Sequence, residues 1–446
     1  MLHKYETYKD AEVDFLNPIP SHWQIKRVKD ISTVISKGTT PTTEGAGFTD
    51  FGVRFLKAEN INENGSINEI PMVFISEETD KLLSRSRLKE NDLLIVIAGA
   101  TTGKIAILPK EILPANTNQA VCFIRLHKYE QGSFLKYKQY ALNSPYFQRL
   151  VWLYAVTSAQ PNLPMAVLSR MHVHYPPLEE QTAIAEYLDT KTQAIDKKVS
   201  LLEKKIGYYQ ELRKSLINET VTKGLDKNVK FKESGIDWIG QIPEHWEVKR
   251  LKDCFNLFTG NSISDKSGFE NPVDSIPYVA TKDIDFHTGK ITFDNGIYIP
   301  IEDRSFKRAK PNTTLICIEG ANAGKKIGFT DKKIAFVNKL CAIKSNNQNN
   351  YDKYLYYFTQ TNLFNNQFFS LLNGLIGGVS VSLIRNLNIL LPTKNEQIAI
   401  VEYLDLRLSQ IDKIILNIQT QITTLKELRK TLINDVVTGK IKVSHD

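Results

Sequence analysis

The sequence predicts an α+β protein with two β-rich globular domains of similar fold, two long helices and an internal repeat. Three observations carry this. Leu188, Ile195, Leu202, Tyr209 and Leu216 recur every seven residues with charged residues between them, which is the seam of a coiled-coil helix. The same seam returns at Leu404, Ile411, Ile418, Leu425 and Leu432, each 216 residues further on (404 − 188). The chain also opens twice, because Ile19-Pro20-Ser21-His22-Trp23 reappears as Ile242-Pro243-Glu244-His245-Trp246 at a shift of 223 (246 − 23).

The openings extend on both sides. Asp14-Phe15 and Lys26-Arg27-Val28-Lys29-Asp30 correspond to Asp237-Trp238 and Lys249-Arg250-Leu251-Lys252-Asp253. Between opening and helix, each half alternates strand-length apolar runs with Gly, Asn and Pro turns. Strands are expected at 51–56, 93–97, 104–108 and 120–126, and their counterparts at 275–279, 314–318, 326–329 and 340–344. Short helices are expected at 134–142 and 351–360, and again at 145–154 and 363–372. Pro176-Pro177 and Pro392 break the preceding strand and start the long helices.

The helices repeat beyond their seams: Glu180-Gln181, Glu186-Tyr187-Leu188-Asp189 and Glu211-Leu212-Arg213-Lys214 return as Glu396-Gln397, Glu402-Tyr403-Leu404-Asp405 and Glu427-Leu428-Arg429-Lys430. Val401, Leu408, Ile415 and Ile422 complete an a/d stripe in the second copy, while Ala185, Thr192, Val199 and Ile206 make a weaker one in the first. Such a stripe must be buried, and the nearest partner is the other copy. The expected boundaries are globular domains at 1–175 and 231–391 and helical segments at 176–230 and 392–446.

Composition narrows the function classes. With 446 residues the chain exceeds one core. Its apolar runs are far short of a membrane span, and its start lacks the apolar core of a signal peptide, so a cytoplasmic protein without membrane contact is expected. A formal net charge of +8 suits a polyanionic partner. Cys122, Cys254, Cys317 and Cys341 form no CxxC pair and are expected as buried free thiols.

No catalytic motif survives inspection, and neither a metal nor a cofactor is expected. Gly99-Ala100-Thr101-Thr102-Gly103-Lys104-Ile105 has one residue too few between its glycines for a P-loop, and Ile105 stands where a magnesium-binding Ser or Thr belongs. Gly320 to Lys326 repeats the defects. These turns suit a DNA phosphate instead, offering backbone N–H groups and a lysine. Asp237 with Glu247-Val248-Lys249 matches a nuclease pattern, but Gln24 replaces the glutamate in the other half. Tyr175-Pro176-Pro177-Leu178 departs at both outer positions from the segment with which amino-methyltransferases hold a base. His172 and His174 alternate on a strand, yet their counterparts are Asn388 and Leu390. No acidic residue recurs beside His22-Trp23 and His245-Trp246 along the chain, so these read as structural corners.

The residues expected to face DNA sit in recurring turns. In the first half these are Lys37, Thr39, Thr40, Lys57, Asn60, Thr101, Thr102, Lys104, Asn118, Gln119, Ser158, Gln160 and Asn162. The second half offers Asn261, Lys282, Asn322, Lys325, Lys326, Asn338, Lys339 and Ser380. Asn, Gln and Lys can read base edges or grip phosphate.

The two openings, the Pro-Pro-Leu-Glu-Glu-Gln run at 176–181 with its counterpart at 392–397, and Leu212-Arg213-Lys214-Ser215-Leu216-Ile217 with 428–433 together resemble the specificity subunits of type I restriction-modification systems, over nearly the full chain. The resemblance implies that each globular half is a target-recognition domain reading one part of a split double-stranded DNA site. It implies that the two long helices pair antiparallel as a spacer. It also implies two methyltransferase subunits held by the helices, motor-nuclease subunits added to them, and all catalysis left to those partners. The segment Gln160-Pro161-Asn162 has no clear counterpart near Gly377-Gly378-Val379-Ser380. A stand-alone DNA-binding or scaffold protein and a self-contained DNA-modifying enzyme are the rival readings.

Overall fold

Burial on both faces explains the unbroken apolar runs. Val121–Leu126 lies inside a four-stranded antiparallel sheet, ordered Ser32–Lys37, Val121–Leu126, Leu93–Val96, Ile105–Ile107. Cys122 pairs with Lys37 on one side and Ile95 on the other. Successive side chains alternate across the sheet. Cys122 and Ile124 join Phe147, Leu150 and Val151 of the helix Pro145–Tyr154, whereas Val121 and Phe123 join Leu56, Ile61 and Ala115. The second layer is a three-stranded sheet in which Val53–Leu56 runs antiparallel to Val73–Ile75 and parallel to Ala115–Thr117.

This computed structural model describes residues 3–11, 18–130, 133–156, 160–236, 239–372 and 377–443. The chain divides into two units, 1–202 with 420–446 and 203–419. The second unit repeats the first unit's topology, with Phe255–Thr259, Leu340–Ser345, Thr313–Cys317 and Ile327–Thr330 in the same antiparallel order. Beside it Ser275–Val279 again runs parallel to a strand, Ile334–Phe336. In each unit one more pair ties the opening to the strand entering the long helix, Gln24–Arg27 with His172–Tyr175 and Glu247–Arg250 with Asn388–Leu391.

The expected strands appear within about two residues of their bounds, and the short helices are Ser133–Asn143, Pro145–Tyr154, Asp352–Phe358 and Asn362–Ser370. The edge strands Ser32–Lys37 and Phe255–Thr259 were not among the expected ones, because an edge strand tolerates polar residues such as Ser32, Thr33, Ser36 and Asn256. All four cysteines are free and buried. Burial pushes the Cys122 and Cys341 thiols up to about 12, so both stay protonated.

The long helices are Leu178–Lys223 and Lys394–Val437, and each contributes to both units. In the first unit Ile184, Ala185 and Leu188 meet Ile433, Val436 and Val437. In the second, Leu404, Leu408 and Ile411 share a core with Ile217 and Val221. Arg429 bridges Asp196 at 3.0 Å in the first unit, and Arg213 bridges Asp412 at 2.9 Å in the second. In the first unit 184–188 lie with 433–437 while 196 pairs with 429, and in the second 213 pairs with 412 while 217 and 221 lie with 404–411, so the helices run antiparallel within each unit. Near the helix C-termini the buried position slips one residue off the seam, to Ile217 and Ile433 rather than Leu216 and Leu432. There the helix packs on the globular body as well as on its partner helix.

Candidate nucleic-acid interface

Backbone hydrogen bonds gather the recurring turns at one end of each unit's sheets. In the first unit the Gly38 N–H donates to Val121 O and the Thr39 N–H to Thr117 O at 3.1 Å, laying 37–40 against 117–121. The Ile97 N–H donates to Ala120 O at 2.8 Å, the Gly99 N–H to Pro161 O at 3.0 Å and the Leu163 N–H to Ile97 O at 2.8 Å. Lys37, Thr39, Thr40, Thr101, Lys104, Asn118, Gln119, Gln160 and Asn162 therefore stand on adjoining loops, and the Thr40 hydroxyl contacts the Gln119 side chain. Lys57 follows the strand paired with Ala115–Thr117 and joins them, its ammonium 5.0 Å from the Phe48 ring centroid. Gly38 is required by this close packing, since a Cβ there would lie 1.8 Å from Thr117 O.

The second unit builds the same cluster. The Asn261 N–H donates to Phe336 O, the Ile318 N–H to Lys339 O, and the Gly320 N–H to Gly377 O. Gly260 would meet Phe336 O at 1.8 Å, repeating the restriction at Gly38. Lys282, Asn322, Lys325, Asn338, Lys339 and Ser380 are exposed here, with Lys339 Nζ 3.9 Å from Glu319 Oε1. The missing counterpart of 160–162 is also found. Gly378 bridges Glu319 as Asn162 bridges Ala98, and the Val379 N–H donates to Ile318 O as that of Leu163 does to Ile97 O. Backbone pairing has no side-chain signature, which is why the sequence hid this correspondence.

Several of the expected residues bond within the chain. Asn60 is 2% exposed, and its amide donates to Asn68 O and Pro71 O, so it braces a turn from inside. Thr102 is buried with its hydroxyl closing the turn on Gly99 O. The Asn261 carboxamide oxygen accepts the Lys307 N–H, and Lys326 Nζ donates to Thr281 O. Most amides of the glycine turns are engaged within the chain. The N–H groups of Gly99, Thr102, Gly103 and Lys104, like those of Gly320, Ala323, Gly324, Lys325 and Lys326, all donate to carbonyls of the chain. Ser158, and the opening residues Asp14, Phe15, Asp237 and Trp238, lie outside the described residues.

The polar residues that repeat with the helices form anchors. The Trp23 indole donates to Glu180 Oε2 at 3.0 Å, and His22 Nε2 lies 2.5 Å from Glu180 Oε1. Trp246 and His245 meet Glu396 in the same way, at 3.4 and 2.7 Å. Burial works to raise the Glu396 carboxyl, and the donors His245, Thr393 and Trp246 overcome it, leaving the carboxyl below its ordinary range. The histidine–tryptophan corners are structural, and an acidic residue does accompany each of them, its glutamate standing 150 or more residues away in the chain. A repeated helix residue lying off the seam was the signal that could have found them. Glu247 is bound by Lys249 at 2.7 Å, and His174 is buried between the Trp23 and Tyr146 rings. Among the described residues no group of three or more His, Cys, Asp or Glu is placed to hold a metal, and no helix is long and apolar enough to cross a membrane.

A doubled frame carrying two loop clusters is matched by the comparisons. The family described as the type I restriction modification DNA specificity domain matches twice, over residues 20–204 and 243–435. The chain belongs to this family. Two specificity chains of Methanocaldococcus jannaschii align end to end with it: the type I restriction enzyme MjaVIII specificity subunit, 23% identical over 96% of this chain and 95% of its own, and the MjaIX specificity subunit, 24% identical over 99% and 98%. In fold, this specificity chain resembles a chain solved in work on the assembly and conformational transition of a type I restriction-modification system, with a TM-score of 0.73 and 16% identity over 94% of this chain and 99% of that one. The HsdS subunit of Thermoanaerobacter tengcongensis superposes with a TM-score of 0.52, also at 16% identity, over 95% and 98%.

Proposed function

We propose that the chain is the DNA-recognition subunit of a type I restriction-modification complex, reading a split double-stranded DNA site with one unit's loops per half-site. The doubled loop cluster carries this reading. The backbone frame is the same in both units while the side chains it presents differ, Thr101 against Asn322 and Asn162 against Gly378. A shared frame with different contents gives two readers of different sequences, because base edges are read by side chains while the frame sets their position. The functional domains are 1–175 and 231–391, with 176–230 and 392–446 as the spacer between half-sites. The helices hold two methyltransferase subunits, motor-nuclease subunits join through these, and the assembly works in the cytoplasm. Methyl transfer, translocation and cleavage belong to the partners, and this chain supplies the address.

Exchanging residues 37–175 for the matching segment of another specificity subunit tests the reading. Sequencing the modified bases in a host carrying the chimera should show one half of the site changed and the other retained. A change in both halves, or in neither, overturns it.

A further inference from the structure

The loops that would touch DNA and the helices that would set the spacing are different parts of the chain, and in each unit one short helix links them. Ser133–Asn143 carries Tyr137 and Tyr140 three residues apart, on one helical face. The Tyr137 hydroxyl donates to His174 O at 3.0 Å, in the strand entering the long helix. The Tyr140 hydroxyl donates to Asp189 Oδ1 at 2.6 Å on the long helix itself, and Lys136 Nζ lies 3.8 Å from the same carboxylate oxygen. The second unit repeats every part: Tyr354 to Leu390 O at 3.0 Å, Tyr357 to Asp405 Oδ1 at 2.5 Å and Lys353 to Asp405 Oδ2 at 2.7 Å.

The residue before the second tyrosine reaches the other way. The Gln139 amide donates to Gly65 O at 3.1 Å, and the Tyr356 hydroxyl donates to Thr288 O at 3.3 Å. Both carbonyls lie between the bridged residues of a hairpin, Ile61 with Ile67 and Ile284 with Ile291, directly after the turns that hold Lys57 and Lys282. Glutamine and tyrosine differ, yet each makes the same connection. Asp189 and Asp405 follow the seam residues Leu188 and Leu404 and are themselves partly exposed, so their repetition is not explained by packing. Burial first, and then the facing carboxylate, raise both phenols above their ordinary range, so each stays protonated and donates.

We infer that Asp189 and Asp405 are positioning residues that lock each set of recognition loops to its long helix and thereby make the complex selective for the distance between half-sites. This rests on the split-site reading above. A rigid phenol held by a charge-assisted hydrogen bond fixes the loop end relative to the helix, and loosening it lets a half-site one base pair out of place still be reached.

The test uses the full chain assembled with its methyltransferase partner. Duplexes carry the native half-sequences with the native spacer, or with one base pair added or removed. Asp189→Asn and Asp405→Asn should each reduce the preference for the native spacer by roughly tenfold, the scale of one hydrogen bond to a charged group, with the half-sequence preference retained. Tyr357→Phe, which removes only a hydroxyl, should move the profile in the same direction, and Asp405→Glu should restore it. An unchanged spacer profile, or an equal loss on all three duplexes, overturns the proposal. If the wild-type complex shows no preference among half-sequences, the recognition reading itself falls.

Discussion

Lys104 and Lys325 illustrate how one side chain on a fixed frame can be tested. Lys325 is exposed, its ammonium 3.3 Å from Ala321 O, and Lys104 is half-buried at the matching turn. Lys104→Glu or Lys325→Glu should weaken binding to all sequences alike and lower the log–log salt slope by about one, the contribution of one phosphate contact. Filter binding across a salt series reads both effects, and an unchanged slope would place these loops away from DNA. His174 makes a different prediction. Burial holds its imidazole down at about 4, against an ordinary value of 6.5. The folded state stays neutral where the unfolded chain takes up a proton, so this contribution is complete above pH 6.5 and is lost as pH falls towards 4, amounting to roughly 3 kcal/mol. His174→Leu, which installs the residue found at the matching Leu390, should flatten the fall of denaturation midpoint with acid over that window. A parallel acid limb in the variant would assign the loss to other groups.

At the scale of elements, Gly207 stands within the long helix Leu178–Lys223, and a Cβ built on it meets nothing within 4 Å. Nothing in the packing requires glycine there. Gly207→Ala should therefore stabilise by about 1 kcal/mol and raise the melting temperature by about 2–4 °C, because alanine loses less backbone entropy in a helix. A fall in melting temperature would show that the helix needs a flexible point at this position. The long helices were legible because burial every seven residues leaves a pattern that no other element imitates, as at Leu404, Ile411 and Ile418. The central strands were legible for a related reason, since Leu93–Val96 and Val121–Leu126 are buried on both faces and tolerate only apolar side chains, apart from Arg125. Loop function was harder to read. Asn60 and Thr102 have the chemistry of DNA contacts, yet their polar atoms close turns, and nothing in a turn's composition says which way an amide points. The anchors at Glu180 and Glu396 were visible as repeats but not as contacts, because their partners are distant in sequence.

On the scale of the molecule, the proposed spacer role makes distance a coded quantity. The long helices contain 46 and 44 residues, which at about 1.5 Å per residue is on the order of 65–70 Å each. Within each unit they run antiparallel, pinned by Arg429–Asp196 and Arg213–Asp412. One heptad inserted after Lys204 and another after Thr420, positions equivalent under the shift of 216, keep the stripe in phase on both helices. Each helix then lengthens by about 10 Å, close to three base pairs at roughly 3.4 Å each. The expected outcome is a target with both half-sequences retained and about three more base pairs between them, read by sequencing the modified bases. Those base pairs also turn the second half-site by roughly 100° about the DNA axis, given about 10.5 base pairs per turn. Restoring the relative facing requires the DNA to twist or the reading loops to swivel, so activity on the lengthened site should fall while its length preference shifts. If the Asp189 and Asp405 anchors fix the loops to the helices, combining the insertion with Asp405→Asn should recover part of that activity by permitting the swivel. A folded insertion variant that keeps the original spacer would show that these helices do not set the distance.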